Sequence, residues 1–391
     1  MQTLSPMVTA DPPGTPVIVG ISGGVDSAAA ALLLQRAGYH VRGLFMKNWD
    51  DDDGTEYCTA AADLLDAERV CHHLGIDLEV VSFSAAYREA VFAHFLAEYA
   101  AGRTPNPDVL CNREIKFKEF ADHAVALGAD LIATGHYARG VWPGATSPLL
   151  ALAADPDANA FRLLKGFDPE KDQSYFLQAV PRRELARCLF PLGHLRKTDV
   201  RALAHDAGLH NHRRKDSTGI CFIGERRFRD FLQRYLPTTP GPIITISGQL
   251  IGEHIGVAYY TLGQRQGLGV GGVRGSVEGP WYVVSKVQGT NTLIVSQNPA
   301  DLETDWLIAT DVNWLQPPTQ NRFGCAIRVR YRQRDQGAQV ELAAANPDER
   351  ARVRFDVPQR AVTPGQYVAF YDGDTCLGGA LIDSTGRGDP P

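Results

Sequence analysis

Between Pro16 and Arg36 the chain sets an apolar run, Pro16-Val17-Ile18-Val19, directly before Gly20-Ile21-Ser22-Gly23-Gly24-Val25-Asp26-Ser27, and an alanine- and leucine-rich helical pattern directly after it. A strand that turns on glycines into a helix constrains the fold more than any other stretch, because it opens an alternating strand and helix architecture and gathers backbone N–H groups at one point. Gly23 and Gly24 carry no side chain to hold an anion away, the hydroxyls of Ser22 and Ser27 add donors, and the positive helix end adds potential. The stretch suits a phosphate. The lysine of the commoner Gly-Lys-Ser/Thr phosphate loop is missing, and so is the G-x-G-x-x-G spacing of a dinucleotide site. Two plainer readings stand beside this one: an ordinary glycine-rich turn, with Asp26 a simple acid in a first helical turn.

The alternation runs on to about His136. Apolar runs at Val17–Ile21, Val41–Met46, Leu78–Phe83 and Leu131–Ala133 are separated by helix-period stretches at Tyr57–Leu74, Ala86–Ala100 and Ile115–Leu127. That predicts an α/β unit, a parallel sheet with helices on both faces, whose ligands lie beyond the carboxyl ends of the strands. Met46-Lys47-Asn48, after the second run, and Thr134-Gly135-His136, after the fourth, are therefore expected to converge with Ser22–Ser27 on one nucleotide.

At 391 residues the chain is longer than one core usually organises. Residues 1–15 read as a disordered leader and 16–180 as the nucleotide domain, with a surface loop at Pro143–Asn159. Helical signals return over 181–240 as a small central domain. Pro237-Thr238-Thr239-Pro240-Gly241-Pro242 then breaks the chain, and 241–391 turns to short strands between glycine-rich turns, the texture of a small β-barrel or sandwich. Ser384–Pro391 reads as a frayed end. No apolar run approaches the ~20 residues of a membrane span and the N-terminus lacks the apolar core of a signal peptide, so a cytoplasmic protein with no membrane partner is expected.

The net charge of −6 speaks against wholesale nucleic-acid binding, yet Arg182–Arg234 holds 13 Lys/Arg against 6 Asp/Glu. In Arg328-Val329-Arg330-Tyr331-Arg332-Gln333-Arg334 four arginines recur at every second position. On a strand they share one face, which is either neutralised by a polyanion or a charged edge that resists aggregation. The acidic run Asp50–Asp53 reads as a solvated loop before it reads as an aid to Mg²⁺ binding.

Seven cysteines, an odd number, point to reduced thiols. Cys111 follows the proline-pinned loop Thr104-Pro105-Asn106-Pro107-Asp108 and is expected just before a helix starting near Arg113, where positive potential favours a thiolate. Cys221 lies in a glycine-bounded segment near Lys215, Arg226 and Arg227. Each is equally readable as an inert core cysteine. Cys58 and Cys71-His72-His73 lack the second ligand pair of a zinc site; they, with Cys188, Cys325 and Cys376, read as packing residues, and no metal site is expected.

Ser22-Gly23-Gly24-Val25-Asp26-Ser27 resembles the PP-loop of ATP pyrophosphatases, with Ala28 where many such loops carry a second serine. Together with Leu44–Trp49, Gly102–Asp108, Cys111-Asn112, Thr134–Tyr137, Lys171-Asp172-Gln173-Ser174-Tyr175-Phe176-Leu177, Asp216–Gly224 and Tyr260–Arg265, it makes nearly the whole chain resemble the tRNA-specific 2-thiouridylases.

This resemblance implies an enzyme that uses ATP and Mg²⁺ to adenylate the C2 oxygen of the wobble uridine, U34, in tRNAs for Lys, Glu and Gln, and then puts sulfur in its place. It implies that Gly20, Ile21, Ser22, Gly23, Gly24, Val25, Asp26 and Ser27 hold ATP, with Met46 and Gly135 at the adenosine end. Cys221 would carry a persulfide from a sulfur-donor protein and Cys111 would be the nucleophile. Either Cys111 attacks that persulfide, leaving a Cys111–Cys221 disulfide and releasing hydrosulfide, or the persulfide attacks C2 directly. Asp108 is a general acid or base, or equally a loop-capping aspartate. Asn106, Pro107 and Asp108 would meet the target base, and His136, Lys171, Asp172, Gln173 and Gln366 the tRNA; Tyr331 and Arg332, of the arginine-rich run, are expected to join them independently of the resemblance. The enzyme is expected to act as a monomer. The alternatives are another PP-loop enzyme, a tRNA-modifying ligase or an amidotransferase-type synthetase, and a non-catalytic RNA-binding protein with a degenerate PP-loop.

Overall fold

A computed structural model describes residues 11–50, 60–215, 228–270, 279–343 and 350–389. Its first body is a sheet of five parallel strands. Strand β1 (Pro16–Gly20) leads through the glycine turn into helix α1 (Val25–Arg36). β2 (His40–Lys47), α2 (Ala60–Leu74), β3 (Leu78–Ser82) and β4 (Leu131–Ala133) follow, then a hairpin of β5 (Ala138–Val141) and β6 (Arg162–Lys165), and β7 (Cys188–Leu189). The order β3-β2-β1-β4-β7 reverses between β1 and β4, and at such a reversal the loops leaving neighbouring strands open a crevice.

Alternation along β1 divides the core. Val17 and Val19 face α1, while Ile18 faces the helices of the other side. The alanines of α1 are fully buried: Ala29, Ala30 and Ala31 lie against the sheet, and Ala28 packs with Val70 and Ala204. A helix buried on two faces needs small residues, because bulkier ones would hold both partners away. Since β7 completes this sheet and the Lys197–Asp206 helix packs near α1, the chain beyond 180 builds this first body as well.

Elsewhere the structure departs from the sequence reading. The helix expected near Arg113 begins at Pro107, because Asn106 accepts from the Val109 N–H as its cap and Pro107 supplies a preset first turn. It continues as a wider π-turn stretch, Cys111–Glu119, into Phe120–Ala126. Within the expected loop 143–159, Ser147 caps a helix at Pro148–Ala154. Asp11 of the expected leader is buried and accepts from Tyr39 and Ser147. Ser384, placed in a frayed end, still pairs with Ile308 in a strand.

The β-rich part forms two sheets. β8 (Gly241–Thr245), β9 (Leu250–His254), β10 (Tyr282–Val287) and β11 (Thr292–Ser296) make a four-stranded one. β12 (Glu303–Trp314), β13 (Arg322–Arg328), β14 (Gln336–Leu342), β15 (Arg350–Arg360), β16 (Tyr367–Asp372) and β17 (Thr375–Gly386) make a barrel, closed where β12 pairs with both β15 and β17. Closure removes exposed edges. At its start β17 also pairs with β6, so the first body and the barrel share hydrogen bonds. Among the described residues no helix is long and apolar enough to cross a membrane.

Candidate active site

The glycine turn lies at the carboxyl end of β1. Gly23 has φ +74°, and a β-carbon there would come within 2.5 Å of the Asp63 carbonyl, so both conformation and space demand glycine. The Ser22 backbone N–H donates to Ser27 Oγ at 3.1 Å, the two serine hydroxyls lie 3.3 Å apart, and Ser27 donates to the Gly24 carbonyl. These bonds tie the loop onto the first turn of α1. Gly24, at the N-cap, offers no side-chain cap, which leaves the helix N–H groups for an anion.

Neighbouring strands close on this turn. A β-carbon at Gly135 would lie 2.9 Å from the Ser27 backbone nitrogen, so the loop after β4 rests on the first turn of α1. At Gly20 a β-carbon would meet Met46 Cε at 3.3 Å and Phe120 Cε1 at 3.6 Å, so the Cys111 helix packs beneath the same turn. Residue 136 joins the two: His136 is buried, shares a 2.8 Å hydrogen bond with Thr134 and lies 6.0 Å, ring to ring, from Phe117 of the Cys111 helix. Burial, with the charge of Lys116 added, holds His136 well below the ordinary imidazole range, so it is neutral at physiological pH. Glycine turn, Gly135 and Cys111 helix therefore form one end of the sheet.

Cys111 is 2% exposed and opens the π-turn stretch, inside the helix where the sequence placed it just before one. Burial raises the Asp108 carboxyl and Lys116 opposes it, so this acid keeps its proton to a higher pH than a free aspartate. Asn112 donates to the carbonyls of Asp108 and Phe176, while its Oδ1 is buried with no hydrogen-bond partner among the described residues. The loop before Cys111 is stitched to the barrel: Gln366 donates to the Thr104 and Pro105 carbonyls and accepts from Asn106 at 3.3 Å. Cys221, with Asp216–Gly224, and Cys58 lie outside the described residues.

The other expected RNA residues divide. Lys171 and Gln173 are half-buried; the Gln173 side chain accepts from the Tyr137 N–H at 2.9 Å, and its N–H donates to the Tyr137 carbonyl. Asp172, expected at the RNA surface, is 4% exposed; it accepts from the N–H groups of Gly166 and Ser174 and from Arg328. A carboxylate bonded in this way holds the loop in place. The four arginines do not share a strand face, because β13 ends at Arg328 and the chain then turns, with Arg332 at φ +61°. Arg328 pairs with Asp172 and Asp335. Tyr331 packs 4.6 Å from Phe176, and the Arg332 guanidinium lies 5.1 Å over Tyr331. Asp50 is taken up by Ser84 and Arg88, which hold its carboxyl below the usual range.

Sequence reasoning missed residues that grip the glycine turn from afar. Lys197 donates to both Asp26 oxygens at 2.7 Å, and the Tyr137 hydroxyl donates to Asp26 Oδ1 at 2.7 Å. Asn211 and Arg214 donate to the Gly23 carbonyl, and Arg214 also pairs with Asp63 and Asp66. Neither spacing nor composition links these positions to the loop.

Comparison with known proteins is extensive. A family model described as tRNA methyl transferase HUP domain matches residues 15–225, a tRNA methyl transferase PRC-barrel domain 229–297, and an aminomethyltransferase beta-barrel domain 304–382. The tRNA-specific 2-thiouridylase MnmA of Methylococcus capsulatus is 54% identical over 378 residues, 95% of this chain and 97% of that protein. Its counterpart in Pseudomonas aeruginosa is 56% identical over 371 residues, 94% of each.

Proposed function

Because the chain belongs to the tRNA-specific 2-thiouridylase family, we infer that it is an ATP-dependent tRNA sulfurtransferase that replaces the C2 oxygen of a uridine by sulfur. The observation that carries the site assignment is the meeting of the glycine turn, Gly135 and the Cys111 helix at one end of the parallel sheet.

The order of events follows from the chemistry. Oxide does not leave a urea-like carbonyl at neutral pH, so the C2 oxygen first attacks the α-phosphorus of ATP. The bond to the bridging oxygen breaks and pyrophosphate leaves with its electron pair, so that AMP becomes the group to be displaced. The turn Gly20–Ser27 receives the phosphates, with Met46 and Gly135 at the adenosine end. Mg²⁺ would be held chiefly by phosphate oxygens and water, and would supply positive charge to the phosphates. Asp26 is the carboxylate of the loop, and both its oxygens are bonded to Lys197, so no step is assigned to the metal.

In the sulfur step Cys221 carries a persulfide received from a donor protein. Attack of the Cys111 thiolate on the Cys221 sulfur forms a disulfide and expels hydrosulfide, which adds at C2 and displaces AMP. Alternatively the terminal persulfide sulfur adds at C2 and displaces AMP, and the Cys111 thiolate then attacks the Cys221 sulfur, leaving the Cys111–Cys221 disulfide and the sulfur on C2. Asp108, whose burial favours the protonated form, supplies or removes a proton beside Cys111. The buried Oδ1 of Asn112, without a hydrogen-bond partner among the described residues, adds an acceptor next to that cysteine, which supports a ligand bearing an N–H donor. Asn106 and Pro107 with Asp108 at the base, and Lys171, Gln173, Tyr331, Arg332 and Gln366 toward the rest of the RNA, complete a reading in which U34 of the tRNAs for Lys, Glu and Gln is drawn to Cys111 by a monomeric cytoplasmic enzyme.

Mass spectrometry of the wobble nucleoside, after incubating the protein with ATP, Mg²⁺, sulfide and unmodified tRNA, tests the reading. One oxygen-to-sulfur exchange is expected. With a persulfide donor in place of sulfide it is lost in Cys111→Ser and in Cys221→Ser; full activity in either variant refutes the two-thiol scheme.

A further inference from the structure

From Gly20 to Ser27 the loop contains one charged residue, the anion Asp26. A triphosphate brought to that loop alone would meet a carboxylate and no cation. The lysine that the commoner phosphate loops carry within their own motif is absent from this one. The structure supplies a lysine from elsewhere: Lys197 lies 171 positions from Asp26 and heads the Lys197–Asp206 helix. Its side chain is 10% exposed, against 31% for Asp26, and its ammonium donates to both Asp26 oxygens. Contacts around it hold it there. Its backbone N–H donates to Asp168 at 2.9 Å, its ammonium lies 5.8 Å from the centre of the Tyr137 ring, and Tyr137 binds the same carboxylate.

A carboxylate in the first turn of a helix is already favoured by the helix dipole, and half-exposed it is further stabilised by water. A lysine drawn out of solvent to meet it costs desolvation that the pair barely recovers, so the arrangement calls for a purpose beyond stability. Arg214, another cation near the loop, is already divided between Asp63, Asp66 and the Gly23 carbonyl.

We propose that Lys197 is the phosphate cation of this loop, a catalytic residue whose ammonium contacts the β- and γ-phosphates of ATP and receives the charge that collects on pyrophosphate as it leaves. The assignment rests on the functional reading above. In the adenylation step the uridine oxygen bonds to the α-phosphorus, the α–β bridging P–O bond breaks, and the electron pair departs on that bridging oxygen. Lys197 stabilises the departing oxygens by charge and hydrogen bonding, keeping its proton throughout. Asp26 then holds the ammonium in place before and after turnover.

The test compares wild type, Lys197→Met, Lys197→Arg and the double variant Asp26→Asn/Lys197→Met, measuring binding of ATP, pyrophosphate and AMP by calorimetry and tRNA-dependent pyrophosphate formation. Lys197→Met is expected to weaken ATP and pyrophosphate about tenfold or more and AMP by less than about twofold, with Lys197→Arg retaining part of the difference. Pyrophosphate formation is expected to fall by about a hundredfold. The double variant removes the uncompensated carboxylate together with the lysine, so it stays folded, and it is expected to keep the loss of ATP over AMP. If Lys197→Met weakens AMP as much as ATP, or the double variant recovers wild-type preference for ATP, Lys197 is only the counter-ion of Asp26 and the proposal is overturned. A wild-type protein that discriminates ATP from AMP through Lys197 but forms no 2-thiouridine overturns the functional reading and leaves the Lys197 assignment supported.

Discussion

Arg328, the last residue of β13, donates to Oδ2 of Asp172 at 2.6 Å, and through that bond the rim of the barrel holds the loop that runs to the glycine turn. Asp172 accepts from Ser174, Gln173 exchanges two hydrogen bonds with the Tyr137 backbone, and the Tyr137 hydroxyl reaches Asp26. The connection is a run of short polar contacts from barrel to glycine turn. The Arg328 and Asp172 side chains are 13% and 2% exposed, so water repairs little when one is removed. Arg328→Met is expected to cost about 3–5 kcal/mol, because it strands a buried carboxylate. Asp172→Asn added to it should return most of that loss. Urea denaturation at neutral pH measures both, and a loss below about 1 kcal/mol would mean the pair is as weak as a surface bridge.

Gly135→Ala tests the contact between the loop after β4 and the glycine turn. The new β-carbon would lie 2.9 Å from the backbone of Asp26 and Ser27, and neither backbone can yield without moving the loop. The ATP KM is expected to rise by about tenfold or more while tRNA affinity is unchanged. An unaltered ATP KM would remove Gly135 from the nucleotide site.

The acid limb of stability should carry the mark of His136. Its pKa in the fold is depressed by burial and by Lys116, whereas the unfolded chain takes up a proton near the ordinary value of 6.5. The unfolded state therefore binds more protons as pH falls, so the His136 contribution is complete above pH 6.5 and is lost as pH drops from there toward the depressed value. One group contributes a slope of at most about 1.4 kcal/mol per pH unit. His136→Gln should flatten the dependence of unfolding free energy between about pH 5 and 6.5. Asp108 has the opposite sign, since its raised pKa makes its contribution fall as pH rises through that value.

Gln366 joins the barrel to the loop before Cys111 through two donated bonds and one accepted from Asn106. Gln366→Leu keeps the bulk and removes all three. Thiolation is expected to slow by about tenfold and ATP affinity to change by less than about twofold, because only the base-side loop is loosened. Single-turnover thiolation beside nucleotide binding separates these effects; equal losses in both would show that the whole fold has shifted.

What the sequence determined is what neighbouring residues decide among themselves. An apolar run, two glycines and an alanine-rich repeat suffice for strand, turn and helix, since each responds to spacing within a few positions. The same local logic made the alternation up to β4 and the β texture beyond Pro242 legible, and it singled out the turn at Gly23 and the loop at Gly135; for Cys111 it left an inert core cysteine equally open, and only the resemblance proposed a role. It erred where short-range signals compete: Asn106 and Pro107 started the Cys111 helix earlier than the periodicity of its apolar face suggested, and the Arg332 turn broke a row of arginines that alternation alone would have kept on one face. Tertiary structure alone decided that Asp172 is buried under Arg328, that Gln366 seats the loop before Cys111, and that Lys197 meets Asp26. These are pairings of opposite charge or of donor with acceptor across 156, 262 and 171 positions, respectively. Such groups come together because parallel strands and a closing barrel carry their backbones to one place, and nothing in the residues between them records the meeting.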